Sequence, residues 1–526
     1  MARLIAGRQL WEGDVADAGS SERRGRAVVL GASIAGILAA RVLADSYEQV
    51  VVLDRDDLTG VLQRRGTAQG RHLHGLMERG RRIIEDLYPG VTAELVGLGA
   101  PTTEVLTRSR WYLSGLRVHP TSTGLTTVLA SRPLLESTLR ARTAAMPGVE
   151  IHAGVSASGL VAAPAAPDGA RRVVGVRVTA TDAATAAAID HLSQEAPRLL
   201  QDAARLDGDA TGNGQDASQG ARGGAVIAAD LVVDATGRAS RAPDWLAEIG
   251  CDRPVEERID IDLGYASRTY ERRPEHLDGD LGVVVSTMPG WRGGGAIVLE
   301  GNRWHVTLGG MLGDHPPLDE AGFQAFASTM PVPDVHQIVT TARPLEDPVP
   351  HRFRGSVRRY FERLAAPPEG FLVIGDAACS LNPIYAQGMT VAAQQAEALA
   401  GCLHAGRADL PRRFYQEAVT RIEFAWQMST NADLNYPGVV GNRTPRVRIM
   451  NAYIRRAHIA AHLDPTVART FMRLANLVEP PSSLLRPPMV ARILRHGFSA
   501  SVPTPRTGAS SVSKASPGTA AARASR

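Results

Sequence analysis

The 526-residue sequence predicts an α/β fold. A Rossmann-like domain is assembled from separated segments, a second domain carries a β-sheet, and helices close the C-terminal part. Three observations carry this expectation. Residues 26–54 read as a β-α-β unit with a glycine-bearing turn after the first strand. Residues 259–312 are rich in short β-type runs and suit an antiparallel sheet. Residues 370–376, GFLVIGD, return to a buried strand and turn, and a helix follows at 389–403.

In order, AVVL (27–30) is a buried strand, GASIAG (31–36) the turn, ILAARVLADS (37–46) a helix and QVVVLD (49–54) the next strand. The apolar run 27–44 approaches the length of a membrane span. Gly31, Ser33 and Gly36 interrupt it and Arg41 sits in its second half, so strand, turn and helix is the better reading. Residues 132–142 are helical, and 149–161 look like strand and hairpin. RVVGVRVT (172–179) is a strand, and AVIAADLVVDATG (225–237) is two strand segments ending in a turn. Between them, 181–220 reads as a flexible insertion in a hairpin, with one short helix at its start. Residues 208–220 lack large apolar side chains, so burial cannot offset the entropy of ordering them. From about 412 to 495 the chain is mainly helical. The expected organisation is a leader (1–25), a first Rossmann-like part (26–255), a sheet domain (256–355), a second Rossmann-like part (356–411), a C-terminal helical region (412–500) and a disordered tail (501–526).

Composition narrows the function classes. A hydrophobic fraction of 44% can build a sizeable core. The net charge of +4 is matched by Arg506, Lys514, Arg523 and Arg526 in the tail, which has no acid. The rest of the chain is neutral, so no nucleic-acid partner is expected. Lys514 is the sole lysine, which removes Schiff-base chemistry and a Walker-type phosphate lysine from the folded body. Cys251, Cys379 and Cys402 fit no zinc or disulfide pattern, and no stretch reads as a signal peptide, so a cytoplasmic location is expected.

Three turns carry chemistry. Gly31 permits a tight turn, Gly36 permits close helix–strand packing, and the helix N-terminus offers N–H groups to a pyrophosphate. Ser33 replaces the usual middle glycine. Asp54 ends the next strand, where a carboxylate suits ribose hydroxyls. The second turn, Asp234-Ala-Thr-Gly237-Arg238, follows the strand LVV. The third begins with Gly375-Asp376 and continues through Pro383 to Gln387-Gly388-Met389, where a helix starts. Its N–H groups would stabilise negative charge on a bound ring.

In this order the three turns resemble the FAD-dependent monooxygenases with a glutathione-reductase-type FAD fold. RGTAQGRHLHGL (65–76), SRPLLESTLR (131–140), DATGRASRAPDWL (234–246) and GDAACSLNPIYAQGMTVAA (375–393) are similar to bacterial polyether epoxidases and, more distantly, to squalene monooxygenase. The resemblance implies a discontinuous FAD-binding domain and a β-sheet substrate domain. By it, Gly31, Ser33, Ile34, Ala35 and Gly36 would face the pyrophosphate, and Asp54 and Arg55 the adenosine end. Arg65, Gln69, Arg132, Asp234 and Gly237 would contact the cofactor. Asp376 would bind the ribityl chain, with Pro383, Gly388 and Met389 near the flavin ring. Ala68 and Ala386 depart from the expected proline and glycine.

The expected activity is monooxygenation of an apolar small molecule, foremost epoxidation of an alkene in a polyketide or polyene through a flavin hydroperoxide. NADPH or NADH would supply electrons, directly or through a separate flavin reductase, and O2 would be consumed. No catalytic side chain is singled out, because the cofactor carries the chemistry. Aromatic hydroxylation, reduction of isoprenoid double bonds and FAD binding without turnover are the alternatives; no base for a phenol is identifiable. Halogenation is disfavoured, since the family's lysine and Trp-x-Trp-x-Ile-Pro stretch are absent. His72, His74, Tyr265 and Tyr385 are the substrate-pocket candidates. His72 and His74 have no third ligand at a telling spacing, so no metal is expected. Trp111, Tyr112, Trp304 and Phe424 are weaker pocket candidates, and a buried, inert Cys379 is expected. Arginines interleave with apolar residues at 446–456, and membrane contact there ranks below a helix packed on the body.

Overall fold

The computed structural model describes residues 25–60, 70–167, 169–194 and 224–499. Nearly all of the leader, the tail, Arg65, Ala68, Gln69 and most of the 181–220 insertion lie outside the described residues.

The Rossmann-like expectation holds. A five-stranded parallel sheet runs in the order Phe371–Val373, Leu231–Asp234, Arg26–Leu30, Gln49–Leu53, Val149–His152. Its three central strands read RAVVL, QVVVL and LVVD, and are buried almost throughout, as a sheet covered on both faces requires. The helices Ile34–Leu43 and Gly388–His404 pack together over it. Two distant parts of the chain therefore build one layer.

Residues 149–161 do not form a hairpin. Val149–His152 joins the parallel sheet, while Val155–Ala162 pairs antiparallel with Val173–Ala180 in a separate three-stranded sheet. Gly154, at φ +71°, makes the change of direction between them. Ala225–Ala228 completes that small sheet, and the helix Ala183–Gln194 opens the insertion by burying Ile189 and Leu192.

The large sheet takes strands from outside 256–355. Its eight strands run Cys379–Ser380, Val349–Arg359, Glu256–Glu271, Arg303–Gly310, Arg292–Leu299, Gly282–Val285, Ser109–Leu113, Leu116–Arg117. Two edge contributions, 109–117 and 379–380, come from segments expected in the Rossmann-like parts. They pair with Gly282–Val285 and Val349–Arg359, whose outer edges would otherwise present unpaired backbone groups. Trp304 is fully buried there, and its Nε1 donates to His276 Nδ1 at 3.2 Å. Trp111 and Phe424 pack on a third core with Ala460, Met472 and Ile493 of the C-terminal helices, and Tyr112 on the sheet core. Trp304 is a core residue, and the other three are partly buried against the cores. Among the described residues no helix is long and apolar enough to cross a membrane.

Candidate cofactor and substrate site

The three turns meet at the C-terminal ends of adjacent parallel strands, where open α/β sheets bind ligands. The first turn is set by contacts that only glycine allows. Gly31 has φ +102°, and a Cβ there would lie 2.6 Å from the Ala235 carbonyl oxygen. A Cβ on Gly36 would lie 1.8 Å from the Gly31 carbonyl oxygen. The helix Ile34–Leu43 starts from Ser33 without a side-chain cap and without an acid in its first turn. Its leading N–H groups and positive dipole end therefore remain suited to an anion.

Asp54 reaches the expected strand end. Its Oδ2 accepts from Ala32 N at 2.7 Å and its Oδ1 from Asp56 N at 2.9 Å, so it ties the first turn to the chain after the second strand. Arg55 beside it is exposed. The Ser33 hydroxyl donates to Glu136 Oε1 at 3.0 Å. Sequence reasoning missed Glu136. This buried carboxylate pairs with Arg132 at 2.8 Å and Arg140 at 3.5 Å, and fixes the start of the helix Arg132–Ala144 against the first turn. Its i,i+4 spacing from both arginines was the available signal.

Asp234 serves its own turn. Fully buried, it accepts from Thr236 N at 2.8 Å, Thr236 Oγ1 at 2.6 Å and Ser240 Oγ at 2.6 Å. Burial raises its carboxyl above the usual range, and these donors oppose the rise. Direct cofactor contact, expected from the motif, is not where its visible bonds point. Gly237 follows at φ +79° with open space around it.

The third turn presses on the first: a Cβ on Gly375 would lie 2.6 Å from Ala35 Cβ. Asp376 differs from Asp54 and Asp234. No described residue donates a hydrogen bond to it; burial raises its carboxyl, opposed only by the charges of Arg132 and Arg238. Gly388 is its neighbour, with a Cβ position 3.7 Å from Asp376 Oδ1. The helix Gly388–His404 also begins without a side-chain cap, and both polar side-chain atoms of Gln387 are buried without a partner. Ala386 adopts φ +53°, the left-handed region, which explains why glycine is the expected residue there. Pro383 opens the short helical turn Pro383–Tyr385.

This donor set fits FAD. It offers two helix N-termini without side-chain caps, a cradle that any added Cβ would fill, and one carboxylate awaiting hydroxyls.

Opposite this cradle lies the large sheet. Two small cavities, of about 10 and 20 Å³, share His74, Ala130 and Arg132. The first is apolar, with Leu76, Leu135 and Met389; the second adds His72, His305, Ile297 and Leu299. Arg132 NH1 lies 3.3 Å from His74 Nε2. A guanidinium only donates, so Nε2 accepts and Nδ1 carries the proton, which it gives to the His72 carbonyl at 2.8 Å. Burial, reinforced by Arg132, pushes His74 down to about 3, so it stays neutral. Both its nitrogens are committed. Among the described residues no group of three His, Cys, Asp or Glu is placed to hold a metal.

His72 Nδ1 bonds Ser267 Oγ at 2.8 Å, and Ser267 Oγ bonds Thr307 Oγ1 at 2.5 Å. The His72 ring meets Tyr265 edge-on at 4.5 Å. Burial pushes His72 to about 3 and His305 to about 4. The Nε2 atoms of both are buried without a partner. His305, on Arg303–Gly310, was also missed; a lone histidine in a β-run gave no signal. Tyr385 turns its hydroxyl away from this group, donating to Asp433 Oδ1 at 2.9 Å. Asn382 donates to the same oxygen at 2.8 Å, while Asp433 Oδ2 is buried and bare. Burial raises Asp433 to about 7. Cys379 is buried, burial raises its thiol, and no described cysteine is in a disulfide.

No family model matches the chain. Protein Rv3254 of Mycobacterium tuberculosis is 32% identical over 485 residues, which span 90% of this chain and 94% of that protein. Several solved structures share the fold. A flavoprotein/dehydrogenase from Cytophaga hutchinsonii aligns with TM-score 0.59 at 13% identity, covering 90% of this chain and 99% of its own. The p-nitrophenol 4-monooxygenase PnpA of Pseudomonas putida aligns with TM-score 0.55 at 14% identity, covering 87% and 98%. PqsL of Pseudomonas aeruginosa, described as a probable FAD-dependent monooxygenase, aligns with TM-score 0.52 at 15% identity, covering 78% and 94%. The chain thus carries the fold of the FAD-dependent monooxygenases, and it belongs to the family of Protein Rv3254.

Proposed function

We propose that this protein is an FAD-dependent monooxygenase whose first activity is epoxidation of an alkene in a largely apolar metabolite, such as a polyketide or polyene. The observation that carries the proposal is the third turn: Asp376 has no hydrogen-bond donor of its own and stands beside an uncapped helix start. Asp376 is half-buried, and a partly desolvated carboxylate without donors is costly unless a ligand supplies them. Ribityl hydroxyls are such donors. FAD, when bound, supplies the redox and oxygen chemistry, with electrons from NADPH or NADH directly or through a separate reductase.

The chain's own residues bind, orient and exclude water. Gly31, Ser33 and Gly36 shape the anion site, and Glu136 holds Arg132 between it and the substrate side. Met389, Leu76 and Leu135 form an apolar wall that excludes water. His72 and His305, both neutral, offer unpaired nitrogens on that side. They suit one uncharged oxygen function, a carbonyl or hydroxyl, on an otherwise apolar molecule.

Asp433 favours a second reading, aromatic hydroxylation. It is a carboxyl near neutrality, in contact with Tyr385 on the third turn, and so a candidate proton acceptor that the sequence did not reveal.

The test is reconstitution with FAD, then NADPH-driven oxygen consumption with a polyene and with a phenol, each product weighed by mass spectrometry. Addition of one oxygen atom to the polyene supports epoxidation, and to the phenol ring hydroxylation. A protein that takes up no FAD sinks both.

A further inference from the structure

We infer that the paired helices Pro445–Leu463 and Pro487–His496 form a docking surface for an anionic lipid bilayer. Half of the exposed large apolar side chains among the described residues lie at 440–498: Val440, Ile449, Leu463, Leu485, Leu494 and Phe498. This concentration sets the region apart from the scattered exposure normal for a protein surface. On the first helix Arg448, Ile449, Ala452 and Arg455 share the exposed side, with Ile449 70% exposed. On the second, Ala491, Leu494 and Arg495 form an exposed stripe that continues to Phe498, with Leu494 50% and Phe498 65% exposed. The opposite sides supply the core through Ala457, Ala460, Met489 and Ile493. The outward apolar groups are therefore not needed for folding.

The two stripes adjoin. The Arg456 guanidinium lies over the Phe498 ring at 3.7 Å and donates to the Gly497 carbonyl at 3.0 Å. The charge is one-sided. Residues 440–499 contain ten arginines and two acids, Asp464 and Glu479. Both acids are engaged, Asp464 by Arg492 at 2.9 Å and Glu479 by Arg473 at 2.7 Å. Arg446, Arg448, Arg455, Arg486 and Arg495 have no carboxylate partner among the described residues.

Several occupants are disfavoured by charge. A second copy of this face would repel it. So would the tail, with four basic residues and no acid. Nucleic acid would satisfy the arginines and leave Ile449, Leu494 and Phe498 in water. A bilayer with anionic headgroups satisfies both sets: arginines at the phosphates, apolar tips at the acyl boundary. With no membrane-spanning helix among the described residues, the contact is lateral. The sequence ranked a packed helix above membrane contact; the structure packs one side of each helix and leaves the other exposed.

The test is flotation of the FAD-loaded, full-length protein with vesicles. We expect it to float with phosphatidylcholine–phosphatidylglycerol vesicles, less so in high salt, and to stay behind with phosphatidylcholine alone. Leu494→Ser with Phe498→Ser, and separately Arg455→Glu with Arg495→Glu, should each weaken binding about tenfold or more. Both pairs are exposed, and the flavin spectrum checks that the fold is kept. Equal flotation with both vesicle types, no flotation with the anionic ones, or full binding by the Leu494/Phe498 variant would each overturn the inference. A failure to load FAD bears on the proposed function instead, since flotation is scored separately from flavin content.

Discussion

The two walls of the crevice treat their polar atoms in opposite ways. On the wall formed by the first two turns, the acidic groups are committed within the protein: Asp54 to Ala32 and Asp56, Asp234 to Thr236 and Ser240, Glu136 to Arg132 and Ser33. On the wall formed by the third turn and the large sheet, Asp376, Gln387, His72 Nε2 and His305 Nε2 lack partners. The first wall is preorganised, and its shape does not depend on a ligand. The second carries unpaired groups whose cost a ligand would relieve. Substitutions should therefore cost stability on one wall and affinity on the other.

The largest expected effect is on the committed wall. Gly36→Ala places a Cβ 1.8 Å from the Gly31 carbonyl oxygen, which should cost about 3 kcal/mol or more. Flavin retention should vanish and the melting temperature fall; a variant that keeps both would break the comparison.

Asp376→Asn should behave in the reverse sense. FAD affinity should drop about tenfold, the loss of charge-assisted bonds from hydroxyls. The apoprotein should be no less stable. Because its carboxyl is raised in the folded state, the ionised group lowers stability as pH rises, and asparagine removes that loss. Flavin fluorescence titration and apoprotein melting, read side by side, separate the two effects.

Asp433 sharpens the same point through pH. Burial raises its folded-state value to about 7, against about 3.9 for a free aspartate, so stability is full below about 4 and declines as pH rises through 7. Asp433→Asn keeps an acceptor for Asn382 and Tyr385. It should raise the melting temperature more at pH 8 than at pH 5. An equal change at both would show that Asp433 does not titrate in this window.

His305→Leu removes an unpaired nitrogen. Thermal stability should change little, while affinity for an oxygen-bearing substrate falls severalfold; affinity for a hydrocarbon analogue should hold. His72, His74 and His305 all stay neutral above about pH 5. Substrate affinity of the parent should then show no histidine step between pH 5 and 9. The smallest effect belongs to Ala386→Gly. Relief of the left-handed backbone, about 1 kcal/mol, is largely offset by the entropy glycine loses on folding. A melting shift of more than a few degrees would contradict that balance.

The same contrast explains what could be read from the sequence. The parallel sheet was legible because doubly buried strands leave continuous apolar runs, as in AVVL and QVVVLD. The first turn was legible because Gly31 and Gly36 answer local steric demands. The course of 149–161 was not, since a short β-run does not say which sheet it will join. Nor was the recruitment of 109–117 and 379–380, which satisfies a distant edge. His305 and Asp433 escaped notice because their surroundings come from segments far along the chain, and Glu136 because its i,i+4 arginines read as an ordinary helix pair while its tie to Ser33 is distant. Arg65 and Gln69 lie outside the described residues, and their expected cofactor contacts stay with the sequence resemblance.

The edge position of Phe371–Val373 has a consequence for synthesis. The strand that delivers Asp376 joins a sheet whose central strand begins at Arg26. The cradle therefore has only one side until more than three hundred further residues have left the ribosome. At about 5–20 residues per second, that delay is roughly tens of seconds. An N-terminal fragment has the first turn and lacks Asp376 and the helix start beside it. The nascent chain must be kept from sticking through its unpaired strand edges during that interval. Under the proposed function, capture of FAD is then a late event, following synthesis of the third turn and the helix that ends at His404.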